Sequence, residues 1–143
     1  MSKNKKKKLE KLFRNQKTNG SDYLVIQNGV DDNDNVAISF QYLQEKNGLD
    51  NDKLTKENKI QLLKKIALLT QRTWNELILS SKKSGFEKMD KNVIKNLPTI
   101  VTEDIKNLYV ARFASQGCRL IGFRQGVIYY ILFIDPDLKL YKH

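Results

Sequence analysis

The sequence predicts an α+β fold, in which an antiparallel β-sheet has helices packed on one face. Two strand-like runs open the chain, a stretch of helical periodicity follows, and three further strand-like runs close it. With 143 residues and 40% hydrophobic content, the chain has the size of one domain with one packed core. We therefore expect a single domain over residues 21–143, preceded by a basic arm over residues 1–20.

The arm is defined by its charge. Residues 1–20 hold eight basic residues and one acidic residue, a net charge of +7, whereas the remaining residues hold 18 basic and 15 acidic residues, a net charge of +3. Basic residues that neutralise phosphates release counterions, so the arm is hypothesised to bind nucleic acid or the ribosome. A solvated extension that only favours solubility is the alternative. The lysine run of the arm consists of Lys5, Lys6, Lys7 and Lys8.

Two strands are predicted after the arm. Residues 23–26 are an apolar run, and residues 36–42 alternate apolar and polar side chains. The segment between them is rich in Asn, Asp and Gly, which is typical of a turn-rich loop. We therefore expect an N-terminal strand pair.

Helical periodicity then covers residues 55–69 and continues from residue 70 to the stop signal Lys82-Lys83-Ser84-Gly85. This stretch predicts either one bent helix or two helices, with Thr70 as the cap of the second. The side chains expected to face the sheet in the first part are Ile60, Leu63, Ile66, Ala67 and Leu69.

The C-terminal part predicts a three-stranded meander. Its runs are residues 109–114, 119–124 and 127–134, and glycine in Gln125-Gly126 suits a two-residue hairpin turn. The last run is apolar at both parities, so we expect it to be covered on both faces. Asp135-Pro136 ends it, because proline cannot continue a ladder.

Several classes of function lack their sequence signatures. There is no glycine-rich phosphate loop, no Ser/His/Asp or Cys/His arrangement and no zinc spacing, since Cys118 and His143 are the only Cys and His. The longest apolar run has eight residues, whereas a membrane helix needs roughly 20. We expect a soluble cytoplasmic protein with no metal, no small-molecule cofactor and no membrane partner.

Three arginines interrupt the meander and are costly to bury unless they face an anion. If the first connection centres on Gln116-Gly117, Arg112 lies opposite Ile121 and shares a sheet face with Arg119, while Arg124 lies on the other face. Two guanidinium groups on one face would suit a phosphate. The alternative is that the arginines form ion pairs with Asp135, Glu87 or Glu103.

The chain ends in a second candidate cluster. Tyr141 can donate a proton, Lys142 can hold a phosphate, and His143 has an ordinary pKa near neutrality.

These segments resemble the RelE/ParE superfamily of small bacterial toxins over residues 55–143. The resemblance rests on the sequences Tyr-Val-Ala-Arg-Phe at residues 109–113 and Cys-Arg-Leu-Ile-Gly-Phe-Arg at residues 118–124. The buried strand and the terminal Leu-Tyr-Lys-His complete it. The chain differs from many members after the last long strand, where Asp135-Pro136-Asp137 replaces a basic residue.

Resemblance to the RelE branch implies ribosome-dependent mRNA cleavage without metal, through attack of the 2′-hydroxyl on the adjacent phosphate. It implies that Arg119 stabilises the phosphate, that Tyr141 and His143 stand at the acid or base position, and that Glu87 stands near a carboxylate base. Arg112 and Arg124 are further candidates for phosphate contact.

Our leading hypothesis is an endoribonuclease toxin that acts on mRNA at the ribosome and is inhibited by an antitoxin protein. The alternative is a non-catalytic binding module on the same scaffold. Such a module would bind a protein such as DNA gyrase, as in the ParE branch, or it would bind RNA or the ribosome through the arm. A structural interaction protein without any site is a third reading.

Overall fold

A mixed five-stranded β-sheet organises residues 31–141, the part of the chain that the computed structural model describes. In space the strands follow the order β1-β5-β4-β3-β2, with β1 parallel to β5 and every other neighbouring pair antiparallel. The predicted α+β class is confirmed, but the sheet is mixed and not purely antiparallel. The strands are β1 (Ala37–Ser39), β2 (Phe86–Asp90), β3 (Asn107–Phe113), β4 (Cys118–Gln125) and β5 (Ile128–Asp135).

The meander of β3, β4 and β5 is confirmed, with a different turn between the last two strands. Gln125 pairs with Ile128, so the two turn residues are Gly126 and Val127. Gly126 has a φ of 62°. A positive φ at the first turn position is the requirement of a type II′ hairpin, which is why the glycine stands first in the turn and not second.

Of the predicted N-terminal strand pair, the structure describes only the second strand, which pairs with β5. Residues 23–26 and the basic arm lie outside the described residues. The second predicted strand, residues 36–42, shortens to β1, because the chain turns when Leu43 N–H donates to the Phe40 carbonyl at 3.0 Å. β1 pairs in parallel with β5. The apolar strand β5 therefore has a neighbouring strand on each edge, β4 on one and β1 on the other.

β2 is a strand that the periodicity of residues 86–96 left ambiguous. It pairs with β3 over five residues, from Phe86 opposite Ala111 to Asp90 opposite Asn107. Phe86 is buried, whereas Lys88 and Asp90 are exposed. Charged side chains are common on edge strands, since they discourage pairing with other chains.

Two helices, α1 (Lys56–Thr70) and α2 (Trp74–Leu79), replace the single bent helix that was one of the two alternatives. Thr55 caps α1 and Thr73 caps α2, each accepting a hydrogen bond from the backbone three residues on. Thr70 is therefore not the cap that the sequence suggested; its hydroxyl donates to the Ala67 carbonyl inside α1. No helix of the described part is long and apolar enough to cross a membrane.

The face that α1 buries differs from the predicted one. Leu62 and Leu69 are buried against the sheet, while Leu63 is 68% exposed and Ile60 is 44% exposed. Because α1 carries apolar residues on opposite sides, periodicity alone fits two orientations of the helix. Of the predicted face, Leu69 is buried, Ile66 is partly buried, and Ala67 is exposed with the other two.

Both faces of the sheet are covered. The helices pack on one face, around Trp74, Leu120 and Tyr129, as the sequence predicted. On the other face, residues 94–105 and the C-terminal residues Leu140 and Tyr141 cover Phe123 and Phe133. β5 is therefore buried on both sides, in agreement with its apolar pattern.

The orientation of α1 gives a matched pair of substitutions. We expect Leu69→Ala to lower the free energy of unfolding by about 2–5 kcal/mol, because it leaves a cavity in the core, and Leu63→Ala to change it by less than about 0.5 kcal/mol. Urea denaturation followed by circular dichroism measures both. Equal losses in the two variants would contradict the orientation of α1.

Candidate phosphate-binding site

Two arginines stand side by side on the sheet face that is turned away from the helices. Arg112 of β3 and Arg119 of β4 are direct register partners. The sequence placed them on one face but two positions apart, with Arg112 opposite Ile121; the structure corrects this register and brings them closer. Directly opposed residues have Cβ atoms roughly 4.5–5.5 Å apart, so two like charges here repel unless an anion lies between or beside them.

Carboxylates flank the two guanidinium groups. Glu87 of β2 lies with its Oε2 3.6 Å from Arg112 Nη2 and with its Oε1 3.2 Å from Lys82 Nζ. Asp135 of β5 is the register partner of Arg119 on the other side. Three cations and two carboxylates therefore meet here, which leaves the cluster net positive.

Asp135 shapes the C-terminal tail. Its side chain is buried at 1% exposure and accepts hydrogen bonds from three backbone N–H groups at 3.2–3.4 Å. These bonds fold the tail, and Tyr141, the residue after the last of the three donors, forms a hydrogen bond with Arg119. The donors are the N–H groups of Asp137, Lys139 and Leu140.

Charged groups of the cluster interact electrostatically with the phenol of Tyr141. Burial raises the pKa of its phenol above the usual range, while a hydrogen bond from Arg119 and the charge of that arginine work in the opposite direction. Glu87 raises this pKa further and Arg112 lowers it. The net effect is a phenol that keeps its proton at neutral pH, so Tyr141 is suited to donate a proton and not to accept one.

A strained loop supports the arginines. Three consecutive residues between β3 and β4, Ala114, Ser115 and Gln116, have φ values of 51°, 55° and 73°. Non-glycine residues in this left-handed region are costly and persist only where their surroundings enforce them. The loop directs the Gln116 carbonyl at Arg119, whose Nη1 donates to it and to the Cys118 carbonyl at 3.2 Å.

Three buried polar atoms at this site have no partner. Among the residues that the structure describes, the buried side-chain nitrogen and oxygen atoms without a hydrogen bond are Nε of Arg112, Nε of Arg119 and Oε1 of Gln116. Buried polar atoms are nearly always paired, so three such atoms within one cluster require an explanation. An anion that accepts from both guanidinium groups would satisfy two of them. We refer to Arg112, Arg119, Glu87, Gln116 and Tyr141 as the arginine site.

Arg124 is not brought to this site. It lies on the opposite face from Arg112 and Arg119, as the sequence predicted, and this is the helix face, where its guanidinium carbon is 4.4 Å from the centre of the Trp74 ring. It also donates to Asp32 at 2.6 Å and to the Gly126 carbonyl at 2.8 Å. These contacts tie the hairpin to the helix layer, and they place Arg124 apart from the arginine site.

The remaining sequence-predicted residues lie outside the described part of the chain. No three His, Cys, Asp or Glu side chains within residues 31–141 are grouped closely enough to hold a metal ion. The candidates that the structure does not describe are Lys142, His143 and the arm residues Lys5, Lys6, Lys7 and Lys8.

The sequence analysis did not predict the roles that two residues of the cluster have in the structure. Gln116 reads as an ordinary turn residue, because nothing in Ala-Ser-Gln announces positive φ angles. The sequence predicts Asp135 as an ion-pair partner and as the end of a strand. Its hydrogen bonds to the tail join residues two to five positions apart, and strand periodicity does not show such contacts. A carboxylate directly before Pro136 is the available signal, since such residues commonly start turns.

Comparison with known proteins adds no relative to this picture: no protein-family model, curated protein or solved structure matches the chain.

The state of Tyr141 can be tested by titration. In the ultraviolet titration of the folded protein, we expect Tyr141 to ionise above the usual tyrosine pKa of about 10. This ionisation should be missing from the titration of Tyr141→Phe. In Arg119→Gln the same phenol should ionise at still higher pH, because the arginine that stabilises the phenolate is gone. The pKa of Tyr141 is raised only in the folded state. Its contribution to the free energy of unfolding is therefore fully present below pH 10 and is lost as the pH rises through the pKa of the folded state. A Tyr141 that titrates below 10 would contradict its burial.

Proposed function

We propose that this protein is a metal-independent endoribonuclease that cleaves translated mRNA, the toxin of a toxin–antitoxin pair, with the scissile phosphate bound at the arginine site. The observation that supports this proposal is the pair of register-matched arginines, each with a buried Nε that has no partner. Guanidinium groups bind phosphate oxygens through planar, charge-assisted hydrogen bonds. The resemblance to RelE-type toxins is the basis for the mRNA, ribosome and antitoxin in this proposal.

The residues at the site match the needs of cleavage by an internal hydroxyl. The 2′-oxygen of the RNA forms a bond to phosphorus while the bond from phosphorus to the 5′-oxygen breaks, which leaves a cyclic phosphate and a free 5′-hydroxyl. Arg112 and Arg119 stabilise the charge that accumulates on the phosphorane oxygens. The reaction needs a 2′-hydroxyl, so RNA and not DNA is the substrate.

Two proton transfers accompany these bond changes. Tyr141 donates its proton to the leaving 5′-oxygen, a role that its raised pKa allows at neutral pH. Glu87 accepts the proton of the 2′-hydroxyl; its carboxylate is the one paired with both Lys82 and Arg112. His143 is the further candidate for either transfer that the sequence offers.

A second function is favoured by one observation. Arg119 is only 5% exposed, and its guanidinium already donates to Gln116, Cys118 and Tyr141. A residue held in this way fits a structural ion-pair network, and the protein would then be a non-catalytic module. Such a module would bind RNA or the ribosome through the arm, or it would bind a protein target.

Controlled expression in a bacterial host, with transcript 5′-ends mapped after induction, separates the two functions. We expect new 5′-ends inside reading frames with the wild-type protein, and a decrease of about 10²-fold or more in Arg112→Lys and Arg119→Lys, since lysine keeps the charge but lacks the planar fork. Lys88→Ala is the matched control, because Lys88 is a basic, exposed residue on the same strand as Glu87.

The outcomes exclude one another. Unchanged cleavage in both arginine variants, with thermal unfolding like that of the wild type, would refute the catalytic role of the site. Growth arrest without new ends would favour the binding module, and deletion of residues 1–17 should then abolish its effect.

A further inference from the structure

A cavity lies beside the arginine site on the same face of the sheet. Its volume is about 470 Å³, and its apolar lining consists of Ile94, Phe133 and Leu140. Phe133 pairs with Ile121 two positions along the strands from the pair of Asp135 and Arg119, so the two pairs are roughly 7 Å apart. Leu140 is the residue before Tyr141. The cavity and the arginine site thus share β5 and the folded tail.

The other residues that line this cavity are polar. Its polar lining carries amides and ammonium groups and consists of Gln44, Lys46, Asn47, Lys95 and Asn96, together with Glu45. An amide carries both hydrogen-bond donors and an acceptor, which is the combination that the edge of a nucleobase requires. A flat apolar face with polar edges describes a nucleobase better than it describes a metabolite with a single charge.

Two asparagines of the polar lining are held in an unusual backbone conformation. Asn47 has a φ of 65° and Asn96 has a φ of 60°. The Asn47 carbonyl accepts a hydrogen bond from Ile134 N–H at 2.7 Å, which fixes this loop to the edge of β5. The two residues approach the cavity from separate segments of the chain, residues 44–47 and 94–96.

We propose that this cavity binds one nucleobase of single-stranded RNA, on a nucleotide next to the phosphate held at the arginine site, and that Asn47 and Asn96 set the base preference of cleavage. This inference rests on the proposed function, because the arginine site supplies the bound phosphate. A larger cavity of about 590 Å³ lies near Asn107 and Gln125, at the other end of β3 and β4 from the arginine pair. Its lining includes neither Arg112 nor Arg119, so the same phosphate does not link it to the chemistry.

The test removes the amides without straining the backbone. Asn47→Gly and Asn96→Gly, singly and together, delete the side chains, and glycine accepts a positive φ at no steric cost. Asn75→Ala is the control, since Asn75 is exposed on α2 on the opposite face. Each variant is expressed and its transcript 5′-ends are mapped, and the base frequencies on both sides of the cuts are compared. Thermal unfolding establishes that each variant is folded.

We expect wild-type cuts to favour one base at one flanking position by roughly tenfold, the range that a specific amide contact provides. The double variant should continue to cut and lose this preference, while Asn75→Ala keeps it. A variant that cuts with the wild-type preference would overturn the inference and leave the proposed function standing. Absence of new ends with the wild-type protein would overturn both. Asn96 is exposed, so Asn96→Gly alone gives a folded test if the double variant proves unstable.

Discussion

One extra residue in β5 decides what lies beside the buried Arg119. Gly122 pairs with Ile131, but its neighbour Ile121 pairs with Phe133, so Leu132 is a β-bulge without a partner in β4. Without the bulge, Arg119 would face Ile134 instead of Asp135. The carboxylate that results both neighbours the arginine and anchors the tail that carries Tyr141. Gly122 permits the backbones of β4 and β5 to approach closely at the bulge, because a Cβ on residue 122 would lie 2.1 Å from the Tyr130 carbonyl oxygen.

The sequence predicts the layers of this fold better than their orientation. Strand-like runs and the helical periodicity of residues 55–69 are local signals, so the meander and α1 are found where periodicity places them. The rotation of α1 is not local: Leu62 and Leu63 are equally apolar, and only packing on the sheet decides that Leu62 is the buried one. β1 depends on pairing with β5 far along the chain, which no local pattern reveals.

The candidate site divides in the same way. The shared face of Arg112 and Arg119 follows from strand parity, and so does the opposite placement of Arg124. The direct opposition of the pair depends on a four-residue loop with three positive φ angles, and composition does not predict such a loop. The sequence named Glu87, Arg119 and Tyr141 through a family resemblance; sheet register and the Asp135 turn then explain how segments more than 50 residues apart meet.

The site combines two demands that oppose each other. Burying Arg119 requires partners, and two carbonyl groups and Tyr141 provide them. A phosphate requires free donors on the same guanidinium groups. In the proposed function, the unpartnered Nε atoms of Arg112 and Arg119 are the donors left for that phosphate. The side chain of Arg112 is 23% exposed, so it is the more accessible of the two arginines.

The most direct test of this account is equilibrium binding of a short single-stranded RNA, made non-cleavable by 2′-deoxy substitution, to the full chain over a series of salt concentrations. If Arg112 contacts a phosphate, Arg112→Gln should weaken binding and reduce the slope of log affinity against log salt by about 1, whereas Lys88→Gln should leave both unchanged. Equal affinity and equal slope for Arg112→Gln and the wild-type protein would contradict a phosphate at the arginine site.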